Sequence, residues 1–195
     1  AIRQSLYSIM LGPHSHFWFL LQKVKANGLD RTCPHAQRLK VSEKTEDLFQ
    51  GTNLEVLETA IIPFYLKSAR WFGGKGRVIR RTRIVERMPQ TGKESFIQYL
   101  FVEVHYNEGA SQTYFIPVST AWEDEAQRCE KEYPFAVLCR LNCKEQRGIL
   151  FDAVYSTQFH QTLLDFITRR KGIKGQKGKL TSATGRWLRK IIREN

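Results

Sequence analysis

The sequence has no long hydrophobic run. Its longest apolar stretch near the start is Phe17-Trp18-Phe19-Leu20-Leu21, far short of the ~20 residues that a membrane span needs. It is also too short for a signal-peptide core, and no small-residue cleavage site follows it, so the expectation is a cytoplasmic protein without membrane partners. Cysteine is scarce: Cys33, Cys129, Cys139 and Cys143, with no CxxC pair. The five histidines (14, 16, 35, 105 and 160) show no ligand spacing with them, which disfavours a zinc site. On one strand, Cys139 and Cys143 would share a face about 13 Å apart at ~3.3 Å per residue. The four therefore read as reduced thiols, and no metal site is expected.

Acidic residues are also few, 19 against 31 Lys and Arg, for a net charge of +12. The excess is uneven. Residues 75–87 carry Lys75, Arg77, Arg80, Arg81, Arg83 and Arg87 against Glu86 alone, and residues 169–193 carry ten cations. A polyanion partner would use such stripes, but no recognised nucleic-acid motif accompanies them, so a solvated flank or a surface that docks on acidic parts of a larger protein is preferred. Tyr99 and Phe101, opposite Leu100 and Val102, would be the stacking platform of a nucleic-acid module, unless both sheet faces are covered.

What is present suffices for one core and an appendage: 195 residues, 42% hydrophobic, with 12 Phe, 7 Tyr and 4 Trp. Residues 1–21 read as a hairpin turning at Gly12-Pro13, and 22–38 as a polar linker, with a short strand at Leu39-Lys40-Val41 opening the main domain, 39–195. Thr52 and Glu55 have capping-box spacing before a stripe of Leu54, Leu57, Ile61 and Tyr65, interrupted at Pro63, where a kink is expected. Strands follow at 78–88, 96–106 and 112–118. A second capping box, Thr120 and Glu123, opens a short acidic helix through Cys129. Phe135, Val137, Cys139 and Leu141 read as one face of a further strand, paired with 148–153. Phe159, Leu163, Phe166 and Ile167 stripe a helix over 155–170, Lys171–Lys179 reads as an exposed glycine loop, and a short helix closes the chain at 187–192. This is α+β with an antiparallel sheet and helices packed on it.

Chemistry-bearing patterns are sparse. Gly73-Gly74-Lys75-Gly76 is not a P-loop, because Gly76 stands where Ser or Thr is required and the loop follows a helix instead of a strand. Gly172, Gly175 and Gly178 form no dinucleotide fingerprint. Asp152 and Glu103 lie in apolar contexts, and Asp152 reads as a helix cap. His105 and His160 stand alone on their elements. No catalytic residue is assigned.

Arg70-Trp71-Phe72-Gly73-Gly74-Lys75-Gly76, followed by the basic run Arg80-Arg81-Thr82-Arg83-Ile84-Val85, resembles the N-terminal cap of bacterial maltokinases. Val102-Glu103-Val104-His105-Tyr106, Ile116-Pro117-Val118 and Leu150-Phe151-Asp152-Ala153 extend the likeness over 39–195. Residues 7–21 resemble the last β-hairpin of trehalose synthases of the α-amylase superfamily, and the two occur in the order of trehalose synthase–maltokinase fusions. The resemblance implies a cystatin-like cap behind a hairpin remnant. It implies a bifunctional parent that interconverts maltose and trehalose (maltose α-D-glucosyltransferase) and phosphorylates maltose with ATP and magnesium to maltose 1-phosphate. On this reading the catalytic groups lie outside 1–195, this segment needs no cofactor of its own, and its partners are the kinase body and the trehalose synthase domain. Arg70, Trp71, Phe72, Gly73, Gly74, Lys75 and Gly76 form the family-motif loop. Trp71, Phe72 and Lys75 are its candidate functional residues, with Trp71 and Phe72 more readily plugging the sheet end than touching a ligand.

Overall fold

The structure is a computed structural model and describes residues 38–42, 45–90, 96–188 and 190. The expected hairpin (1–21), most of the linker, Cys33 and three of the histidines lie outside the described residues. Strands are β1 Arg38–Lys40, β2 Ile79–Gln90, β3 Ile97–Tyr106, β4 Gln112–Trp122, β5 Val137–Cys143, β6 Gln146–Asp152, β7 Gly172–Lys174 and β8 Lys179–Thr181. Helices are α1 Gly51–Val56, α2 Ile62–Ser68, α3 Glu123–Glu132 and α4 Thr157–Thr168. Strands β1 to β6 form one curled sheet in the order β1-β5-β6-β4-β3-β2. All its pairings are antiparallel except β1 with β5. The expected α+β class holds.

Alternation builds two layers on this sheet. On the inner face Leu100, Val102, Val104, Ile116, Val118 and Leu150 pack under the helical arm that supplies Leu57, Ile61, Ile62, Tyr65 and Leu66. On the outer face Ile97, Tyr99 and Met88 are covered by Phe159 of α4 and by Ile173 and Leu180 of the β7–β8 hairpin. Ala121, Ile149 and Phe151 meet Ala126 of α3. Both faces are therefore roofed, and Tyr99, 1% exposed, cannot serve as a stacking platform.

The helical arm shows how the sequence handles Pro63. Between α1 and α2, residues Leu57–Ile61 form a π turn. A proline has no N–H to give and its ring crowds the carbonyl four residues back. The wider turn takes up both defects and keeps Leu57, Ile61 and Tyr65 on one buried stripe.

Several local expectations are corrected. The helix starts at Gly51 with Gln50 as N-cap and no side-chain cap bond, so Thr52 already lies inside the first turn and the Thr52–Glu55 box does not form. Strand β4 runs on to Trp122, which is itself the N-cap of α3. Thr120 is thus a strand residue paired with Leu150. In β5 a register shift between Val137 and Cys139 turns Val137 to the α3 side while Cys139 and Leu141 face the inner core. Phe135, before the strand, is 58% exposed. A bulge of this kind puts two residues opposite one and breaks the period of two. The expected loop 171–179 is largely the β7–β8 hairpin.

Candidate functional site

The motif loop leaves α2 at Ser68 and enters β2 at Ile79. Its residues divide by burial. Phe72 is 3% exposed and joins the inner core, its ring 5.0 Å from that of Tyr114. Trp71 is 44% exposed, yet its ring lies 6.2 Å from Tyr65 and 6.0 Å from Tyr114. Gly74 is buried, Lys75 half-buried, and Arg70, Gly73 and Gly76 are exposed. Phe72 thus plugs the end of the sheet, as expected, while Trp71 lies across it with an open edge.

Three polar groups lock this end. The hydroxyls of Tyr106 and Tyr114 lie 3.1 Å apart and both donate to Oε1 of Gln112, at 2.9 and 2.7 Å. Burial, then the Tyr114 hydroxyl, pushes the Tyr106 phenol up to about 12. The guanidinium of Arg77 sits 3.5 Å over the Tyr106 ring and donates to the carbonyls of Glu108 and Ala110 at 2.6 and 3.0 Å, a cation–π contact backed by charge-assisted bonds. A Cβ at Gly74 would fall within 2.6 Å of the Phe72 ring and would also strike the Tyr106 hydroxyl. The glycine is therefore there for close approach, and the space beside it is filled by Tyr106 instead of being open to a phosphate.

Beneath α2 lies a buried acid. Asp152, 2% exposed, accepts a hydrogen bond from the Tyr65 hydroxyl and another from the Val154 backbone N–H at 3.0 Å, capping the 3-10 turn Ala153–Tyr155. Asp152 is thus a cap, but of this short turn and not of the helix expected over 155–170, whose N-cap is Ser156. Burial pushes the Asp152 carboxyl up, and the Tyr65 and Val154 donors pull it only partly back. Burial first, then the charge of Asp152, pushes the Tyr65 phenol well above its ordinary value. Tyr65 therefore touches the motif loop through its ring contact with Trp71 and Asp152 through its hydroxyl. Sequence reading counted Tyr65 as an apolar stripe residue. The one available signal for its hydroxyl's role was an Asp in an otherwise apolar strand end, since a buried carboxylate needs donors.

The remaining candidates are occupied by structure. His105 Nε2 lies 2.8 Å from Glu103, and His160 Nε2 is 2.7 Å from the Val154 carbonyl. Among the described residues no group of three or more His, Cys, Asp or Glu could hold a metal ion.

One polar feature escaped sequence reading. Glu86 accepts backbone N–H bonds from Gln176, Lys177 and Gly178 at 3.0, 2.5 and 3.0 Å and from Arg87 at 2.9 Å. The basic hairpin is thus pinned to β2 by a carboxylate held in a backbone nest. Desolvation works to raise the Glu86 carboxyl, but these four donors together hold it below its ordinary value.

Residues 65–155, slightly less than half of the chain, match the family model described as the maltokinase N-terminal cap domain. Over these residues the chain is similar to that cap domain. The match opens at Tyr65 and closes at Tyr155, so it takes in the motif loop, the Tyr106–Gln112–Tyr114 lock and both partners of the Tyr65–Asp152 bond. No curated protein matches the chain. Within the matched segment, the motif residues divide into an anchoring set, Phe72 and Gly74, and an outward set, Arg70, Trp71 and Lys75.

Proposed function

We propose that the chain is the accessory cap region of a larger maltose-phosphorylating enzyme, and that residues 1–21 are the end of a trehalose synthase domain fused ahead of it. The match of residues 65–155 to the maltokinase cap supports the cap part of this reading, and the likeness of residues 7–21 to a trehalose synthase hairpin supports the rest. The division of the motif loop supports it: Phe72 and Gly74 are spent on packing, whereas the open edge of Trp71 and the half-buried Lys75 remain for contact with a neighbouring domain. In the parent, ATP and magnesium serve phosphoryl transfer in the kinase body, where positioning and charge neutralisation do the catalytic work. The cap shapes access to that site. The parent also interconverts maltose and trehalose, and works in the cytoplasm.

The test is reconstitution. The chain alone, given maltose, ATP and magnesium, is expected to form no maltose 1-phosphate. A separately produced kinase body is expected to gain activity or thermal stability when the chain is added, and Trp71→Ala should weaken that gain. Turnover by the chain alone would overturn the proposal.

A further inference from the structure

A groove of about 520 Å³ runs along the outside of α3, between that helix and the start of α4. None of the motif-loop residues 70–76 lines it. Its size falls in the range of small-molecule sites, and its chemistry narrows the ligand by elimination.

One wall is helical. Glu125, Arg128 and Glu132 line it, and their spacing of three and four places them on one face of α3. The guanidinium largely offsets the two carboxylates, leaving a net charge of about −1 by Coulomb bookkeeping, so this wall supplies hydrogen-bond donors and acceptors without a field that would select a highly charged ligand. The opposite wall is amide: Gln158 and Gln161 from the first turns of α4. A side-chain amide offers donors and an acceptor together. Cys129 lines the same groove, and burial first, then the charges of Glu125 and Glu132 among its neighbours, pushes its thiol up to about 11, with Arg128 opposing.

The third element is aromatic. Tyr133 and Tyr155 line the groove with centroids 5.7 Å apart and planes tilted by 33°. Phe135 stands edge-on to both, at 6.4 and 5.0 Å. With the rings in mutual contact there is no gap between them for a cation to enter, so they do not make an aromatic cage. They present ring surface instead, and both Tyr133 and Phe135 are exposed.

We infer that this groove binds a neutral polyhydroxylated ligand, a sugar. Ring faces take the apolar C–H side of the ligand. The amides, carboxylates and guanidinium exchange hydrogen bonds with its hydroxyls as both donors and acceptors. The inference rests on the groove alone and does not require the maltose-phosphorylating reading above.

The experiment uses the full chain with isotope-labelled Gln and Tyr, followed by NMR. It is titrated in parallel with neutral glucose oligosaccharides of two to four units, tetramethylammonium chloride and inorganic phosphate. Saturable shifts of the Gln158 and Gln161 side-chain amides with the oligosaccharides, and not with the two ions, are expected. The double variant Q158A/Q161A, which alters only solvent-facing amides, should weaken binding at least tenfold with the fold unchanged, and Tyr155→Ala should abolish it. Absence of saturation with any oligosaccharide overturns the inference. So does preferential binding of tetramethylammonium or phosphate, or oligosaccharide binding untouched by Q158A/Q161A.

Discussion

Tyr65 and Asp152 stand 87 positions apart and are both buried, so each is the other's alternative to water. Tyr65→Phe removes one donor from a carboxylate that keeps only the Val154 N–H. Leaving a buried acceptor short of a partner costs about 1–3 kcal/mol, and urea denaturation at pH 7 should show a loss in that range. The sign of its pH dependence is fixed. Asp152 holds its proton more tightly in the fold than in the unfolded chain, so the folded state is favoured as pH falls through the raised value and loses that advantage as pH rises. Without the hydroxyl the charged form is worse off still. The deficit of Tyr65→Phe should shrink in acid, and a deficit constant from pH 7 to pH 4 would contradict this account. Gly74 makes a second point at this scale. Gly74→Ala should lose about 1–3 kcal/mol by overpacking against Phe72 and Tyr106. Gly76→Ala, where an added Cβ meets nothing within 4 Å, should stay within about 0.5 kcal/mol. Thermal unfolding of the pair separates steric need from composition.

Among the elements, the β7–β8 hairpin is the clearest case of a segment held by chemistry as well as packing. Its Ile173 and Leu180 cover Met88 and Tyr99, and Glu86 receives its turn. A carboxylate bound below its ordinary value contributes stability above that value and loses it as pH falls through the lowered one. Hydrogen exchange at the amides of 176–178 should therefore quicken in acid, and at neutral pH in Glu86→Gln, while the inner core stays protected. Much of the element order was legible: periodicity placed strands at β2, β3, β4 and β6, and a helix at α4, because half-buried strands and helices leave clear repeats. The capping boxes were not reliable, since Thr52 and Thr120 had the right spacing but tertiary pairing carried the neighbouring backbone past them. The bulge at Val137 and the pairing of the hairpin left no local signal at all, for both depend on residues distant in sequence. In the site, Phe72 as a plug and Asp152 as a cap were readable from residue type. The Tyr65 hydroxyl, the Glu86 nest and the α3–α4 groove were not, because each is made by segments that meet only in the fold.

Over the whole molecule, the inner core draws on more than the matched segment. Leu39, Val41, Leu48, Phe49, Leu57, Ile61 and Ile62 are all buried in it, and all precede Tyr65. Phe159 and the hairpin, which roof the outer face, follow Tyr155. Burying a Leu or Ile side chain contributes about 1.5–3 kcal/mol, so losing these contacts together exceeds the roughly 5–15 kcal/mol that a domain typically has in hand. A fragment of residues 65–155 should accordingly fail to give a cooperative unfolding transition by circular dichroism, where residues 38–188 succeed.

Strand β1 is only three residues long, yet it pairs in parallel with β5 and lays Leu39 beside Leu141. It occupies the border position that would otherwise leave the backbone of β5 open along one side. Shortening the polypeptide from its amino end past Arg38 would uncover a ready template for strand addition. The expected symptom is self-association that grows with concentration, visible by light scattering before any loss of secondary structure.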